Sequence, residues 1–188
     1  MSRPIAKRQD VMDAALKLFV KKGIEETTTR DIAELAKAGE GTMFRHFKSK
    51  EELAWHLFRE NLETFMKHLE ESVAGQRTAK GKIRSMVEAG YNLYETDPIL
   101  CTFLLLTEHS AARRMPENYK TPINLILTVI EEGQKKGEIK SINSSLAAAL
   151  IFGAIIRVPV FKHAGHITGD LRKMVDEVTD ACFKMVAA

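Results

Sequence analysis

Apolar positions along this chain recur every three or four residues, and no stretch alternates with the period of two that a half-buried strand requires. Val11, Ala15, Leu18 and Phe19 stand at i, i+4, i+7 and i+8, one face of a first helix over 4–22. Pro4 is tolerated near its start, and Lys21, Lys22 and Gly23 form an ordinary helix ending. Thr28 followed by Asp31 reads as a capping box that opens a second helix over 29–37, with Ile32, Ala33 and Ala36 inward. A third helix is predicted over 40–47, with Met43 and Phe47 inward. Ser49 and Glu52 make a second capping box at the head of a long fourth helix reaching about Val73, striped by Phe58, Leu62, Phe65 and Leu69. Beyond a break at 74–78 the pattern predicts helices over 78–95, 98–114, 117–136, 143–164 and 167–187.

The expected fold class is all-α, with nine helices in two domains: residues 1–50, a helix-turn-helix within a three-helix bundle, and residues 51–188, a larger helical domain. A length of 188 residues, 45% apolar and 28% charged, suffices for a real core and excludes a disordered chain. Cys101 and Cys182 both sit in apolar surroundings, which predicts buried thiols in a reducing compartment rather than a disulfide framework. No apolar leader precedes Val11, and the most apolar run, Leu146 to Phe161, is sixteen residues broken by Arg157 and Pro159. A bilayer span needs about 20, so the reading is cytoplasmic with no membrane partner.

Charge sharpens the picture at one end. Residues 1–50 hold 11 Lys/Arg against 7 Asp/Glu, a surplus of four, whereas the remainder holds 17 against 18. The basic surplus coincides with the short helices, as expected of a segment that meets phosphates. Within it, Thr42, Phe44, Arg45, His46, Lys48 and Lys50 crowd hydrogen-bonding and cationic groups onto the third helix and its exit. A helix-turn-helix needs small residues at the turn, short polar side chains at the start of the reading helix, and donors nearby for phosphates. Gly39, Gly41 and Thr42 supply the first two, and Lys48 and Lys50 the third. A plain αα-hairpin with a solvated cationic cap remains the alternative on residues alone.

The blocks DAALKLFVKKG, TTTRDIAELA, EGTMFRHF and KSKEEL, in this order and spacing, closely resemble the DNA-binding domain of the tetracycline-repressor (TetR) family of bacterial regulators. The resemblance covers about the first fifty residues; the rest matches in architecture alone. It implies a ligand-responsive repressor that binds a palindromic, double-stranded DNA operator as a homodimer. It places Thr29 and Arg30 at the backbone-facing start of the second helix. Glu40, Gly41, Thr42 and Arg45 fall where the family meets bases or adjacent phosphates. Phe44 and His46 occupy an aromatic phosphate-contact position and its neighbour, and Lys50 that of a phosphate-binding lysine. Lys37 stands where the family often has glycine, and Phe44 replaces a frequent tyrosine, losing its hydroxyl.

The same resemblance implies a pocket for a small-molecule effector among the middle helices and a dimer interface at the last two. Phe65, Tyr91, Tyr94, Phe103, Leu106, His109 and Met115 are the candidate lining, mostly apolar with a few polar tips, which suits a hydrophobic effector. Residues themselves support an interface over 143–164 and 167–187: the run from Leu146 is apolar all round, and Leu171, Met174, Val175, Val178, Cys182 and Met185 are read as one side of the last helix. His163, His166 and Asp170 flank Gly165 without fixed geometry and read as a solvated loop, so no metal and no cofactor is expected. A small helical ligand-binding protein or enzyme with a merely structural N-terminal hairpin is the competing function; it needs convergent titratable groups that the sequence does not display.

Overall fold

Local bonds set the first turns of the chain. Thr28 Oγ1 accepts the Asp31 N–H at 3.1 Å while Asp31 Oδ2 accepts the Thr28 N–H at 2.8 Å, closing the capping box. Lys22 Nζ lies 2.6 Å from the same carboxylate. The Lys22 ammonium, then the Thr28 donors, hold Asp31 well below the usual carboxylate range. Ser49 Oγ accepts the Glu52 N–H at 3.1 Å to start the long helix, and the Glu52 carboxylate takes the Lys48 N–H at 2.7 Å rather than that of Ser49.

In a computed structural model of the chain, the backbone is described for residues 4–112, 114–116 and 119–188, and side chains for 7–108, 114–116 and 119–188. These residues form α1 (Pro4–Lys22), α2 (Thr29–Leu35), α3 (Glu40–Phe44), α4 (Lys50–Ala74), α5 (Ala79–Thr96), α6 (Pro98–Ala112), α7 (Pro122–Lys135), α8 (Ser144–His163), a 3₁₀ turn (Leu171–Met174) and α9 (Val175–Val186). The fold is all-α, nine α-helices among the described residues. Three bounds differ from the sequence reading by three residues or more. Helix α3 stops at Phe44 because the chain turns to bury Phe47, whose ring lies 5.3 Å from both the Arg8 guanidinium and the His56 ring. Helix α7 begins only after Thr121, whose hydroxyl caps the Asn124 N–H. The last helix begins at Val175, because Gly169 at φ +87° turns the chain and Asp170 then caps the 3₁₀ turn at the Arg172 N–H.

Contacts divide the chain into two units. The first holds the described residues up to Asn61 and those of 103–115; the second holds Leu62–Thr102 and those from Pro116 onward. Residue 50 is thus the first residue of α4, whereas the division by contacts falls twelve positions on, inside that helix.

In the first unit α1, α2 and α3 each touch the other two. Val11, Met12, Ala15, Phe19, Ile32, Ala33, Met43, Phe47, Leu53 and Phe58 are buried in it, and Phe19 stacks on Phe103 with centroids 6.2 Å apart.

In the second unit α5 is central, contacted by α7, α8, α9 and the 3₁₀ turn. Ile83, Val87 and Tyr91 of α5 are buried together with Ile126, Ile130, Ile151, Leu171, Val175 and Cys182. Charged pairs rim this core: Arg84 with Asp176 at 2.8 Å, Lys80 with Asp180 at 2.7 Å, and Lys82 with Glu132. Glu95 accepts from Lys162 Nζ and, at 2.8 Å, from the Leu171 N–H. Its burial raises the carboxyl pKa, but those two donors outweigh it and hold the group below the usual range. Both cysteines are free and buried, and burial pushes Cys101 up to about 12 and Cys182 up to about 11.

Helix α8 is longer than the apolar run read in the sequence. It runs twenty residues, straight through Pro159, and is long and apolar enough to span a bilayer by length and composition. Only 28% of its most apolar stretch is buried within the chain, although it packs on α5, α7 and α9. Helix α9 also differs from the single apolar side read in the sequence. Val175, Thr179, Cys182 and Val186 turn into the core, while Met174, Val178, Ala181 and Met185 form a separate, partly exposed stripe. A period of 3.6 does not allow Val175 and Met174 on one face.

Gly133 is buried on α7, where an added Cβ would come within 2.7 Å of Ile139 Cδ1 and 3.0 Å of Ala79 Cβ. Gly133→Val overpacks this point, for a cost of about 2 kcal/mol. Thermal unfolding of that variant is expected roughly 4–8 °C lower; an unchanged Tm shows that the α5–α7 contact yields.

Candidate functional site

The sequence candidates for DNA contact all lie in the first unit and, apart from Lys50 and the half-exposed Thr29 and Thr42, are exposed. The short helix α3 and the turn after it sort their residues: Met43 and Phe47 face the core, while Glu40, Gly41, Phe44, Arg45 and His46 face outward. Phe44 is 53% exposed, a large apolar ring in water with no structural reason to be there. Arg45 can pair bidentately with guanine, Thr42 can meet a base edge or a thymine methyl, and Glu40 can accept from cytosine N4.

Gly41 occupies ordinary helix. An added Cβ there, or at Gly39, would meet nothing within 4 Å. The fold itself therefore does not demand glycine at either position, although a helical glycine costs about 1 kcal/mol relative to alanine. What a missing side chain leaves is room for another molecule to approach the backbone.

Cations flank this surface. Arg30 is exposed and pairs with Glu34 at 3.1 Å, a surface pair weak enough to open for a phosphate. Lys50, half-buried at the first residue of α4, donates to the Glu25 carbonyl at 2.5 Å, which fixes its ammonium beside the α1–α2 loop. Lys48 is exposed two residues before it. A groove of about 380 Å³ lies elsewhere on the unit, lined by Lys7, Asp10, Asp13, Lys17, Leu35 and Lys37; its mixed charge gives it no preference for an anion.

Lys37 explains itself in the backbone. It is the one described non-glycine residue with positive φ, at +50°. The Lys37 N–H bonds Glu34 O at 3.1 Å and the Ala38 N–H bonds Ala33 O at 3.0 Å. That pair of bonds is a Schellman ending, whose left-handed position usually holds glycine. The end of α7 makes the same motif with Gly137 at φ +72° and Glu138 N–H to Gly133 O at 2.9 Å. The turn geometry is thus retained in spite of the lysine, at a strain of about 1 kcal/mol.

The effector candidates divide between the two units. Tyr91 and Tyr94 are buried in the second, and Phe65 is half-buried there. Phe103 is buried against Phe19 in the first, where Leu106 is exposed and Met115 half-buried. The side chain of His109 lies outside the described residues. Tyr94 carries the Lys162 ammonium 5.5 Å above its ring. At the same end of α8 as Lys162, His163 and His166 are exposed and Asp170 is paired with Arg172 at 2.6 Å; no group of metal-binding side chains occurs among the described residues. Sequence reasoning missed one feature here: the Tyr91 hydroxyl is buried with no hydrogen-bond partner among the described residues.

The strained turn yields a test. Lys37→Gly is expected to raise Tm by about 1–3 °C, the relieved strain exceeding glycine's extra entropy in the unfolded chain. A lower Tm would mean that the lysine stem, not the backbone, holds the turn.

Comparison with known proteins splits the chain just after residue 57. A family model described as bacterial regulatory proteins of the tetR family matches residues 11–57, and one described as the C-terminal region of YsiA-like protein matches residues 58–183. The chain is similar to a fatty acid metabolism regulator protein of Bacillus subtilis, 29% identical over 160 residues that cover 82% of each chain. It is 26% identical over 172 residues to the transcriptional repressor KstR2 of Rhodococcus jostii, covering 87% of this chain and 84% of that one. Among solved structures, the fatty acid degradation regulator FadR of Bacillus halodurans superposes with a TM-score of 0.81 at 22% identity, over 97% of this chain and 96% of that one. FadR of Bacillus subtilis in complex with stearoyl-CoA gives 0.76 at 24% identity, over 94% and 97%. These likenesses show the fold, and the named relatives are regulators rather than enzymes. With both of its regions matched in order along most of its length, the chain belongs to the TetR family of bacterial transcriptional regulators.

Proposed function

We propose that this regulator is a homodimeric repressor that grips a palindromic operator with paired α3 helices and releases it on binding a long-chain acyl-CoA. The observation that carries the DNA half is the sorting of α3. Met43 and, just past its end, Phe47 are spent on the core, while Phe44, Thr42, the open Gly41 and the following Arg45 face outward. The effector half is supported by a fatty acid metabolism regulator among the relatives and by stearoyl-CoA bound in a solved neighbour. The aromatic candidates of the second unit, Phe65, Tyr91 and Tyr94, suit such a chain. A regulator of this kind works in the cytoplasm, beside the chromosome.

The dimer is supported by what α8 leaves uncovered. Leu146, Leu150 and Phe161 are 53%, 45% and 44% exposed, and Gly153 lies among them on the same helix. The outer stripe of α9, Met174, Val178, Ala181 and Met185, has the spacing of a helix–helix seam. Two such helices from each protomer make a four-helix interface. Effector information reaches the reading heads through α4 and α6, the two helices that contribute residues to both units.

Two experiments test these halves. The DNA flanking the regulator's own gene, searched for an inverted repeat, supplies the operator for a binding assay with salt titration. Lys50→Ala is expected to weaken binding by about three- to tenfold and to lower the salt slope by about one phosphate's worth. An unchanged slope means the assigned contact is wrong. For the interface, a Cβ at Gly153 would meet nothing within 4 Å inside the protomer. Gly153→Trp is therefore expected to keep its helical circular dichroism yet sediment as a monomer at micromolar concentration. A dimer that survives the tryptophan places the interface elsewhere.

A further inference from the structure

Tyr91 sits on α5, the helix that α7, α8, α9 and the 3₁₀ turn all contact, and none of it is exposed. Its ring suits this place, on the same face as Val87 and Tyr94 and among the aliphatic side chains of the second unit. Its hydroxyl does not. Among the described residues Tyr91 Oη is the one side-chain oxygen or nitrogen that is fully buried with no hydrogen-bond partner. Buried polar groups in folded proteins are paired, so a stranded donor needs an explanation. Phenylalanine would fill the same volume without that penalty.

The chemistry around the hydroxyl narrows what could pair with it. Burial first, and to a lesser degree the neighbouring Cys182, pushes the Tyr91 phenol far above its ordinary value. It is a neutral donor throughout the physiological range. Cys182 is itself held neutral by burial, and a thiol is a weak partner. No cation bears on Tyr91, so an anionic acceptor there would be a buried charge without compensation. An uncharged carbonyl oxygen carries no such cost.

We infer that the Tyr91 hydroxyl is the polar anchor of the effector site, donating its proton to the thioester carbonyl of an acyl-CoA whose hydrocarbon lies among the aliphatic side chains of the second unit. The inference rests on the effector reading above and adds to it the atom that recognises the ligand. It also states which ligands fail: a free fatty acid presenting its carboxylate at this point, and an alkyl chain with no carbonyl, both forfeit the bond.

The test uses the full chain, wild type and Tyr91→Phe, with stearoyl-CoA, the carbonyl-free thioether S-octadecyl-CoA and stearate. Without ligand, Tyr91→Phe is expected to melt about 2–4 °C higher, because the stranded hydroxyl is gone. Its Kd for stearoyl-CoA is expected to rise roughly tenfold, while its affinity for operator DNA is unchanged. The thioether and stearate are expected to bind wild type and variant alike. A lower Tm for the variant means that the hydroxyl already has a partner, such as an internal water, and ends the proposal. Equal Kd values for stearoyl-CoA in the two proteins end the Tyr91 assignment alone and leave the effector reading standing. A wild type that binds neither CoA compound ends both.

Discussion

The outward half of α8 is the constraint on which the rest depends. A helix that is apolar all round cannot rest with one side in water, and Leu146, Leu150 and Phe161 each leave about half of their surface uncovered. At roughly 25 cal/mol per Å² of apolar surface, covering these side chains is worth on the order of 1 kcal/mol apiece, before the neighbouring Ala149 and Gly153 let two backbones close in. A bilayer would satisfy the same demand for α8 taken alone. Its other side, however, buries Ala147, Ala148, Ile151 and Ile155 in the second unit, and the charged pairs of α5 with α7 and α9 surround that core. A second copy of the chain would cover the face without dismantling the first. Pairing of this kind would set the distance between two reading helices, which must suit half-sites about one turn of DNA apart, roughly 34–36 Å, or a multiple of it.

The reading head, by contrast, is held by short-range bonds that owe nothing to a partner. Thr28, Asp31 and Lys22 fix the start of α2, Ser49 and Glu52 fix the start of α4, and Phe47 under Arg8 and His56 anchors the end of α3. Between these anchors lie features that lower stability without an internal reason. Lys37 is strained, Gly41 weakens its helix, and Phe44 stands in water. Local rules broken this close together along the chain are the departures expected of a segment that meets another molecule. In the second unit the unpaired hydroxyl of Tyr91 is a feature of the same kind.

What could be read in the sequence was whatever is decided within a few residues. Both helix starts came from spacing alone, because a capping box needs only its own four residues. The cationic surplus of the first fifty residues and the order of the blocks led to the reading head and its family. What escaped was decided by partners distant in the chain. The early end of α3 follows from where Phe47 is buried, not from any breaker in the sequence. The two faces of α9 could not be told apart, since Cys182 and Met185 are equally apolar and only the core beneath α5 distinguishes them. The helix over 143–164 was legible, but its full apolar length was not: Arg157 and Pro159 were read as breaks in the apolar run, whereas α8 continues through both. Tyr91 was recognisable as an aromatic on a helical face, but its missing hydrogen bond is a property of three dimensions.

The most direct test of the central claim is the mass of the unmodified chain in solution by sedimentation equilibrium at micromolar concentration, without DNA or ligand. A protomer of 21.1 kDa whose α8 needs a second copy is expected at about 42 kDa, twice that value, with no significant monomer. A single species at the protomer mass would show that the exposed face of α8 is stable in water and would contradict the account.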